Sequence, residues 1–291
     1  MYDIIIPNWN QSGFAIKLLE SIKKHSSSED YRVIFVDNGS EEEEFNKIYE
    51  VLRLIPHQLI RNKENMGFVK AVNQGLAYST APYVVIQNND TEVVPQWLEK
   101  LQQALEQDPS IGMSGPRTNT PRSWQGEWTK TVGTKILSKS AMLAFFCVMF
   151  KREMLEDVGY LDEDYGVGFA DDDDYCDRAK KKGWKLVLVQ DLMVPHYHNA
   201  TFEQIYSQDE INDMKKKAIK MFREKSGQKH SGSPNLDEHF RRLKKRPQEV
   251  HKKRFYYKID CSEPFEDAFQ KISGDAKINS ITQEQYESGK G

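Results

Sequence analysis

The sequence predicts an α/β fold in which helices cover both faces of a mostly parallel sheet. Short apolar segments such as DIIIP (residues 3–7) and PYVVIQ (82–87) show no polar alternation, which is typical of strands buried on both faces. Segments between such strands, for example FAIKLLESIKKH (14–25), carry apolar residues at helical spacing. Apolar strands that alternate with helices indicate a parallel sheet with a helical layer on each side.

The first part of the chain contains four predicted strands, each followed by a predicted helix. The strands are DIIIP, which Pro7 stops, YRVIFVDNGS (31–40), HQLIRN (57–62) and PYVVIQ. The helices are FAIKLLESIKKH, a segment that begins EEEEF (41–45), GFVKAVNQGLAYS (67–79) and PQWLEKLQQALEQ (95–107). We expect Ser40 to cap the second helix, whose acidic first turn suits the helix dipole. Pro95 is expected in the first turn of the fourth helix.

The second part of the chain is less regular. Residues 117–140 are polar and rich in turn formers, which predicts a long loop of the kind that is usually functional or disordered. The predicted strands that follow are LAFFCVMF (143–150), WKLVLV (184–189) and LMVPHYH (192–198), and the predicted helices are DDDDYCDRAKKKGW (171–184) and residues 203–225. Composition shifts after Ser226, so we expect one domain at 1–226 and a small helical or irregular C-terminal appendage at 227–291.

Composition and length narrow the class of protein. The chain has 291 residues, a formal net charge of −3 and three widely spaced cysteines, Cys147, Cys176 and Cys261, which we interpret as reduced thiols. The longest apolar run, residues 141–150, is half the ~20 residues that a membrane-spanning helix needs. No basic and then apolar signal opens the chain, so we expect a cytoplasmic protein. Peripheral membrane contact through the basic residues 241–258 stays open.

Polar side chains follow four predicted strands at the point where each strand ends. Asn8, Asp37, Asn65 and Asp90 lie at or just past these ends. In open α/β sheets, ligands bind at the carboxyl ends of the strands. The set therefore predicts a ligand site, although any one of these residues alone is also explained by ordinary loop polarity.

Two groups of side chains could hold a metal or move a proton. Asp90 is the best metal candidate, because Mg²⁺ and Mn²⁺ prefer oxygen ligands and a single carboxylate beside a diphosphate can suffice. His196 and His198 would lie on one face of a strand and are candidate ligands as well as ordinary packed side chains. The aspartates at 171–174 fit a helix N-terminus, but one of them could also act as a general base.

Two further features have competing explanations. Trp124 and Trp128 could stack on a sugar ring or anchor the loop that contains them. The basic run 241–258 could meet an anionic surface or form a solvated helix face. The sequence contains no phosphate-binding GxxxxGK[ST] loop, no dinucleotide fingerprint, no calcium loop and no HExxH zinc motif.

Six segments, taken in order, resemble family 2 glycosyltransferases with the GT-A fold (Rossmann-like), and in particular the rhamnosyltransferase-like group. They are IIIPNWNQ (4–11), VIFVDNGS (33–40), RNKENMGFVKAVNQGL (61–76), IQNNDT (86–91), the acidic segment within 148–198 and the histidine that follows it. The resemblance covers residues 3–202. It departs from the family where Asn88 replaces the first acid of the metal motif, and where Phe145 and Phe146 stand in place of small residues.

The resemblance implies an inverting transfer of a sugar from a UDP- or dTDP-sugar to an acceptor hydroxyl. Asp172 would be the catalytic base, and Asp171 would orient the acceptor. Mn²⁺ or Mg²⁺ would bind Asp90 and His196, with His198 as the second choice. The implied donor-binding residues are Pro7, Asn8, Asn10, Asp37 at the nucleobase, Asn65, Gly67, Lys70, Asn88 and Asn89.

The partners follow from the same resemblance. The acceptor would be a glycan, a lipid-linked sugar or a protein; nucleic acid is not expected, and homo-oligomer formation stays open. Two alternatives remain at this stage, a nucleotidyltransferase and a non-catalytic module that binds sugar nucleotides.

Overall fold

The computed structural model describes residues 1–119, 124–126, 132–138, 141–197 and 206–227. Three features predicted from the sequence therefore lie outside the described residues, namely Trp128, His198 and, apart from Gly227, the C-terminal appendage with its basic run 241–258. Of the three cysteines, Cys147 and Cys176 are buried free thiols, and Cys261 is outside the described residues.

A single sheet of eight strands runs through the described part of the chain. Its strands are β1 (Tyr2–Asn8), β2 (Tyr31–Asp37), β3 (His57–Arg61), β4 (Tyr83–Gln87), β5 (Ile111–Arg117), β6 (Thr134–Ile136), β7 (Cys147–Lys151) and β8 (Lys185–Met193). They lie in the order β3-β2-β1-β4-β7-β5-β8-β6. Strands β3, β2, β1 and β4 are parallel, and β7 is antiparallel to both of its neighbours, β4 and β5. The predicted α/β architecture with a mostly parallel sheet is confirmed.

Seven α-helices accompany the sheet among the described residues. They are α1 (Ser12–His25), α2 (Glu42–Leu52), α3 (Phe68–Tyr78), α4 (Trp97–Glu106), α5 (Arg152–Val158), α6 (Asp171–Lys181) and α7 (Gln208–Ser226). None of these helices combines the length and the hydrophobicity that a membrane span requires.

The helices form two layers because side chains of a strand alternate between its faces. Ile4 and Ile6 of β1 point into a core that contains residues of α1, α2 and α4. Ile5 points to the other face, into a core that contains residues of α3, α5, α6 and α7. All three isoleucines are completely buried, and burial on both faces explains why β1 reads as an unbroken apolar run.

Two expectations about helix starts were wrong. Helix α2 begins at Glu42, two residues after Ser40, and the Ser40 hydroxyl instead accepts a hydrogen bond from the backbone N–H of Asn10 at 2.7 Å. Pro95 precedes α4, whose cap residue Gln96 has a left-handed φ of 61°. In both places a loop contact or turn shifts the start of the helix beyond the residue that local propensity favours.

In the second half of the chain, several strands and one helix differ from the predicted elements. Strand β5 and helix α5 were not predicted. In the case of β5, the glycines and the proline of IGMSGPR resemble turn signals. The two strands expected at 184–189 and 192–198 are one strand, β8, which ends at Met193. His196 lies beyond it and forms an isolated bridge with Thr91.

Candidate active site

The polar ends of neighbouring strands meet at one edge of the sheet. Asn8 at the end of β1 is opposite Asp37 at the end of β2, and Asn88, Asn89 and Asp90 follow the end of β4. The Asn89 side-chain amide donates to Oδ1 of Asn8 at 2.8 Å. The chain thus brings together the strand ends that the sequence predicted as a ligand site.

Asp37 is buried at this edge. Its side chain is completely buried, and its Oδ2 accepts a hydrogen bond from Nε of Arg61 at 3.0 Å. Arg61 also donates to Glu42 at 2.7 Å, and its guanidinium lies 3.8 Å from the centre of the Phe45 ring. The second oxygen, Oδ1, is buried without a hydrogen-bond partner among the described residues. Buried acceptors are normally satisfied, so this oxygen is available to a donor group of a ligand if the covering residues shift.

Asn38, which sequence reasoning did not single out, organises the loop before α3. Its side-chain amide donates to Oδ1 of Asn65 at 2.8 Å, and its Oδ1 accepts from the backbone N–H of Met66 at 3.1 Å. Asn65 in turn accepts from the N–H of Gly67 at 3.0 Å. The signal in the sequence was the turn-forming Asp-Asn-Gly-Ser segment, which propensity alone assigns to a turn without a long-range partner.

Gly67 is required by its conformation and by a close neighbour. Its φ is 87°, and a Cβ at this position would lie 2.9 Å from the carbonyl oxygen of Gly166. The start of α3 therefore lies directly against the loop that precedes α6. This contact joins the edge that carries Asn8 and Asp37 to the acidic segment of the second half.

The remaining residues expected to bind a donor occupy the same region. Pro7 is buried within β1, and Lys70 is half-buried in the first turn of α3. Oδ1 of Asn10 accepts from the backbone N–H of Glu41 at 2.8 Å. Asn10 itself has a left-handed φ of 51°. The loop after β1 is thereby tied to the start of α2.

Asp90 and His196 form the pair that the sequence proposed as metal ligands. Nε2 of His196 lies 3.1 Å from Oδ1 of Asp90, and each side chain is 10% exposed. The imidazole stacks on Phe146 at a ring distance of 5.2 Å, and the backbone N–H of His196 donates to Oδ1 of Asn119 at 2.8 Å. These contacts fix the ring against the carboxylate.

The donor set of this pair fits a divalent cation that keeps other ligands. A carboxylate oxygen and an imidazole nitrogen suit Mn²⁺ or Mg²⁺, which take the rest of their coordination from water and phosphate oxygens. In the part of the chain that the structure describes, no cluster of three or more His, Cys, Asp or Glu side chains completes a protein-only metal site. A cation here would depend on ligands from a bound substrate.

A cavity of about 260 Å³ lies between this pair and the acidic helix. It is lined by Phe68, Asn88, Thr118, Ala144, Phe145, Phe146, Val167, Gly168, Phe169, Asp171, Asp172 and His196. Four phenylalanine rings give the walls large apolar faces. The polar residues of the lining include Asn88, His196, Asp171 and Asp172. Phe145 and Phe146, the departures from the family pattern, are both part of the wall.

The backbone before the acidic helix is strained. Phe169 has a φ of 72° and Ala170 a φ of 60°, and neither residue is a glycine. A left-handed conformation costs a non-glycine residue on the order of 1 to 3 kcal/mol and persists only where the surroundings hold it. This conformation starts α6 so that its first two aspartates reach the cavity. The residue types phenylalanine and alanine do not predict this left-handed backbone.

The four adjacent aspartates divide into distinct environments. Asp171 is 5% exposed, and burial raises the pKa of its carboxyl to about 6. Burial, followed by repulsion from Asp171 and Asp173, raises the pKa of Asp172 well above its usual range. Asp174 instead accepts from Nε of Arg178 at 2.7 Å, as an ion pair within the helix. Only the first two therefore combine a raised pKa with access to the cavity, which is what a general base near neutral pH requires.

A family model described as glycosyl transferase family 2 matches residues 3–159 of the chain. The chain belongs to glycosyl transferase family 2. It is 32% identical over 111 residues to an uncharacterized glycosyltransferase of Haemophilus influenzae, a match that covers 38% of this chain and 36% of that protein. The chain thus spans about a third of the length of this curated relative.

Solved structures of glycosyltransferases share the fold of this family 2 member. A mannosyltransferase from Pyrobaculum calidifontis, in complex with GDP-Man and Mn²⁺, aligns with a TM-score of 0.61 at 18% identity, over 80% of this chain and 66% of that one. TarS of S. aureus in complex with UDP-GlcNAc aligns with a TM-score of 0.60 at 13% identity, over 76% and 65%. The resemblance to family 2 glycosyltransferases with the GT-A fold is confirmed.

Proposed function

We propose that this family 2 glycosyltransferase moves a sugar from a nucleoside-diphosphate sugar to an acceptor hydroxyl, with inversion at the anomeric carbon. The observation that carries the proposal is the cavity, whose lining combines Asn88 and the Asp90-paired His196 with Asp171 and Asp172. The nucleotide-sugar complexes of the two structural neighbours, one with Mn²⁺, support the same class of donor.

The donor would lie along the strand ends with its sugar in the cavity. The nucleobase would lie at the end of β2, where Oδ1 of Asp37 is a buried acceptor without a partner in the described structure. Uracil and thymine each present one imide N–H, which matches a single acceptor and supports a UDP- or dTDP-sugar. Asn8, Asn10, Asn65, Gly67, Lys70 and the amides of Asn88 and Asn89 would bind the ribose and diphosphate region.

Asp90 and His196 would hold the divalent cation that accompanies the diphosphate. When bound, Mn²⁺ or Mg²⁺ supplies positive charge that stabilises the diphosphate as it leaves. The chain's own contribution is to keep the carboxylate and the imidazole together, through the stacking of His196 on Phe146.

Asp172 would take the proton from the acceptor hydroxyl, and Asp171 would orient that hydroxyl. The hydroxyl oxygen then bonds to the anomeric carbon while the bond to the diphosphate oxygen breaks. One displacement inverts the configuration and needs no covalent sugar–enzyme intermediate. The raised pKa of both carboxyls favours proton uptake near neutral pH. We propose glycans or glycoconjugates as the acceptor class.

Product analysis tests this function. We would first screen sugar nucleotides by thermal shift, since a ligand at a hundred times its Kd stabilises the folded state by about 2.7 kcal/mol. The stabilising donor is then incubated with Mn²⁺ and a panel of acceptor sugars. Release of nucleoside diphosphate together with a glycosylated product is expected. Release of pyrophosphate would indicate nucleotidyl transfer, and donor binding without any product across the panel would favour a binding module.

A further inference from the structure

Helix α7 is attached by charge to the loop that leads into the acidic helix. We call residues 162–170 the 162–170 loop. Nζ of Lys225 lies 2.5 Å from Oδ2 of Asp162 and 2.7 Å from Oδ2 of Asp164. The Lys225 side chain is 33% exposed. One lysine near the C-terminal end of α7 therefore pairs with two carboxylates at the start of the loop.

The attachment continues towards the cavity through aromatic rings. The Lys225 ammonium lies 5.4 Å from the centre of the Tyr165 ring, and the buried Tyr165 hydroxyl donates to Oδ1 of Asp174 at 3.4 Å. Earlier in α7, the Lys215 ammonium lies 5.2 Å from the centre of the Phe169 ring. Phe169 is part of the cavity wall, so α7 contacts the 162–170 loop near its start and near its end.

The opposite side of the loop is in contact with the donor side of the fold. The carbonyl of Gly166 is so close to Gly67 that a Cβ on Gly67 would lie 2.9 Å from it. The side chain of Asn73 in α3 binds both the carbonyl and the N–H of Leu161, at 2.9 and 3.0 Å. The loop is therefore held between α3 and α7. The contact of Lys215 with the Phe169 ring helps Phe169 to keep its left-handed conformation at the end of this loop.

We propose that Lys225 is a positioning residue, which sets the 162–170 loop and through it the placement of Phe169, Asp171 and Asp172 in the cavity. This inference rests on the proposed function of that cavity. A partly exposed ion pair contributes little to global stability. A displacement of about 1 Å at reacting groups, in contrast, can cost about a hundredfold in rate. The loss of Lys225 should thus appear in turnover rather than in the melting temperature.

The test compares Lys225→Met with Lys216→Met in the full chain. Lys216 is on the same helix, and its side chain is 77% exposed. Among the described residues its ion pair is within the helix, with Asp213 at 3.2 Å. We expect Lys225→Met to lower kcat about tenfold or more, with the donor KM and the Tm close to those of the wild type. Lys216→Met should leave all three unchanged, and Lys225→Arg should restore most of kcat. Hydrogen exchange of amides in the 162–170 loop should be faster in Lys225→Met than in the wild type, and unchanged in Lys216→Met.

A second variant controls for a folding defect in Lys225→Met. Asp164→Asn removes one of the two ion pairs at a side chain that is 70% exposed, and it should shift kcat and loop exchange in the same direction by a smaller factor. Equal kcat and equal loop exchange for Lys225→Met and Lys216→Met would overturn the inference. If the wild type releases no nucleoside diphosphate with any donor, the proposed function fails. Loop exchange then still decides whether Lys225 positions the loop.

Discussion

Oδ1 of Asp90 and Nε2 of His196 lie 3.1 Å apart, although one residue follows β4 and the other follows β8. These strands belong to opposite sides of the antiparallel strand β7 in the sheet. The pair therefore forms only when both sides are packed together. Metal affinity at this pair would report on the assembly of the whole cavity, and not only on two side chains.

Removal of either proposed metal ligand should raise the metal concentration that transfer requires. We expect His196→Ala and Asp90→Asn each to raise the half-maximal Mn²⁺ concentration tenfold or more, in the range seen when groups that support a metal site are lost (about 10- to 100-fold). Activity titrations with Mn²⁺ after chelation measure this value. His57→Gln is the control, because His57 lies on β3 and contacts the carbonyl of Ile55. A metal response of His196→Ala equal to that of His57→Gln would exclude His196 from the metal site.

Asp172→Asn should abolish transfer and leave donor binding nearly intact. A general base contributes roughly 10²- to 10⁴-fold to the rate, and the amide cannot accept the proton. Single-turnover rates and calorimetry with the donor measure the two properties. Asp177→Asn serves as the control on the same helix, where Asp177 pairs with Lys181 at 2.7 Å. If Asp172→Asn keeps more than about a tenth of the wild-type rate, this residue is not the base.

Asp171→Asn should stabilise the protein, and more at high pH than at low pH. Burial raises the pKa of Asp171 to about 6 in the folded state, whereas an unfolded aspartate titrates near ~3.9. The folded state binds more protons between these values, so the stability from this group is complete below about pH 4 and is lost as pH rises through the folded pKa. Melting temperatures at pH 4 and pH 8 test this. A gain at pH 8 no larger than at pH 4 would contradict the burial of a charged carboxylate.

Asp37→Ala should weaken donor binding more than it slows turnover of bound donor. The carboxylate is not part of the cavity lining, and it accepts from Arg61 through one oxygen while the other has no partner among the described residues. Calorimetry and saturating-donor kinetics separate the two effects. Glu42→Ala removes only the exposed partner of Arg61 and should change donor affinity much less. Unchanged affinity in Asp37→Ala would exclude a role at the nucleobase.

Truncation after Ser226 should leave donor binding unchanged and alter acceptor capture or self-association. Residues 241–258 contain nine Lys or Arg and one Glu, in a chain whose formal net charge is −3. If this segment meets an anionic acceptor or surface, its contribution should weaken at high salt, because exposed charges are screened beyond ~8 Å at physiological ionic strength. Acceptor kinetics and mass in solution, each at low and high salt, compare the two proteins. Identical results for both would leave the appendage without a role in either property.

Local patterns predicted the parts of the fold that local chemistry determines. The run from Ile4 to Ile6 and the polar residues after it predicted a buried strand with a site at its end, because burial on both faces removes alternation. Strand β5 was missed because glycine and proline disfavour a strand locally. Its pairing with β7 and β8 is not apparent from the sequence. The start of α2 was misplaced because Ser40 binds Asn10, a long-range partner.

The candidate site likewise contains residues that the sequence predicted and residues that it did not. Asp90, Asp172 and His196 were proposed from motif order, and the fold brings His196 beside Asp90 and both His196 and Asp172 to one cavity. The left-handed backbone at Phe169 was not predictable, since it depends on long-range contacts such as that of Lys215 of α7 with the Phe169 ring. Asn38 was likewise missed, because its hydrogen bonds to Asn65 and Met66 depend on the packing of two loops.

Strand β7 has a consequence for how such enzymes can be recombined. It pairs with β4 over residues 83–87 and with β5 at Met113 and Ser114, and it runs against both. The proposed nucleotide-binding strands and the strands behind the acidic helix thus share one five-residue strand as their common border. In a chimaera that exchanges the chain after β7, the whole of β7 would come from the parent that supplies the residues up to Lys151. Crossovers placed just after Lys151 should therefore keep the proposed nucleobase site of one parent and take the acidic helix, together with His196, from the other.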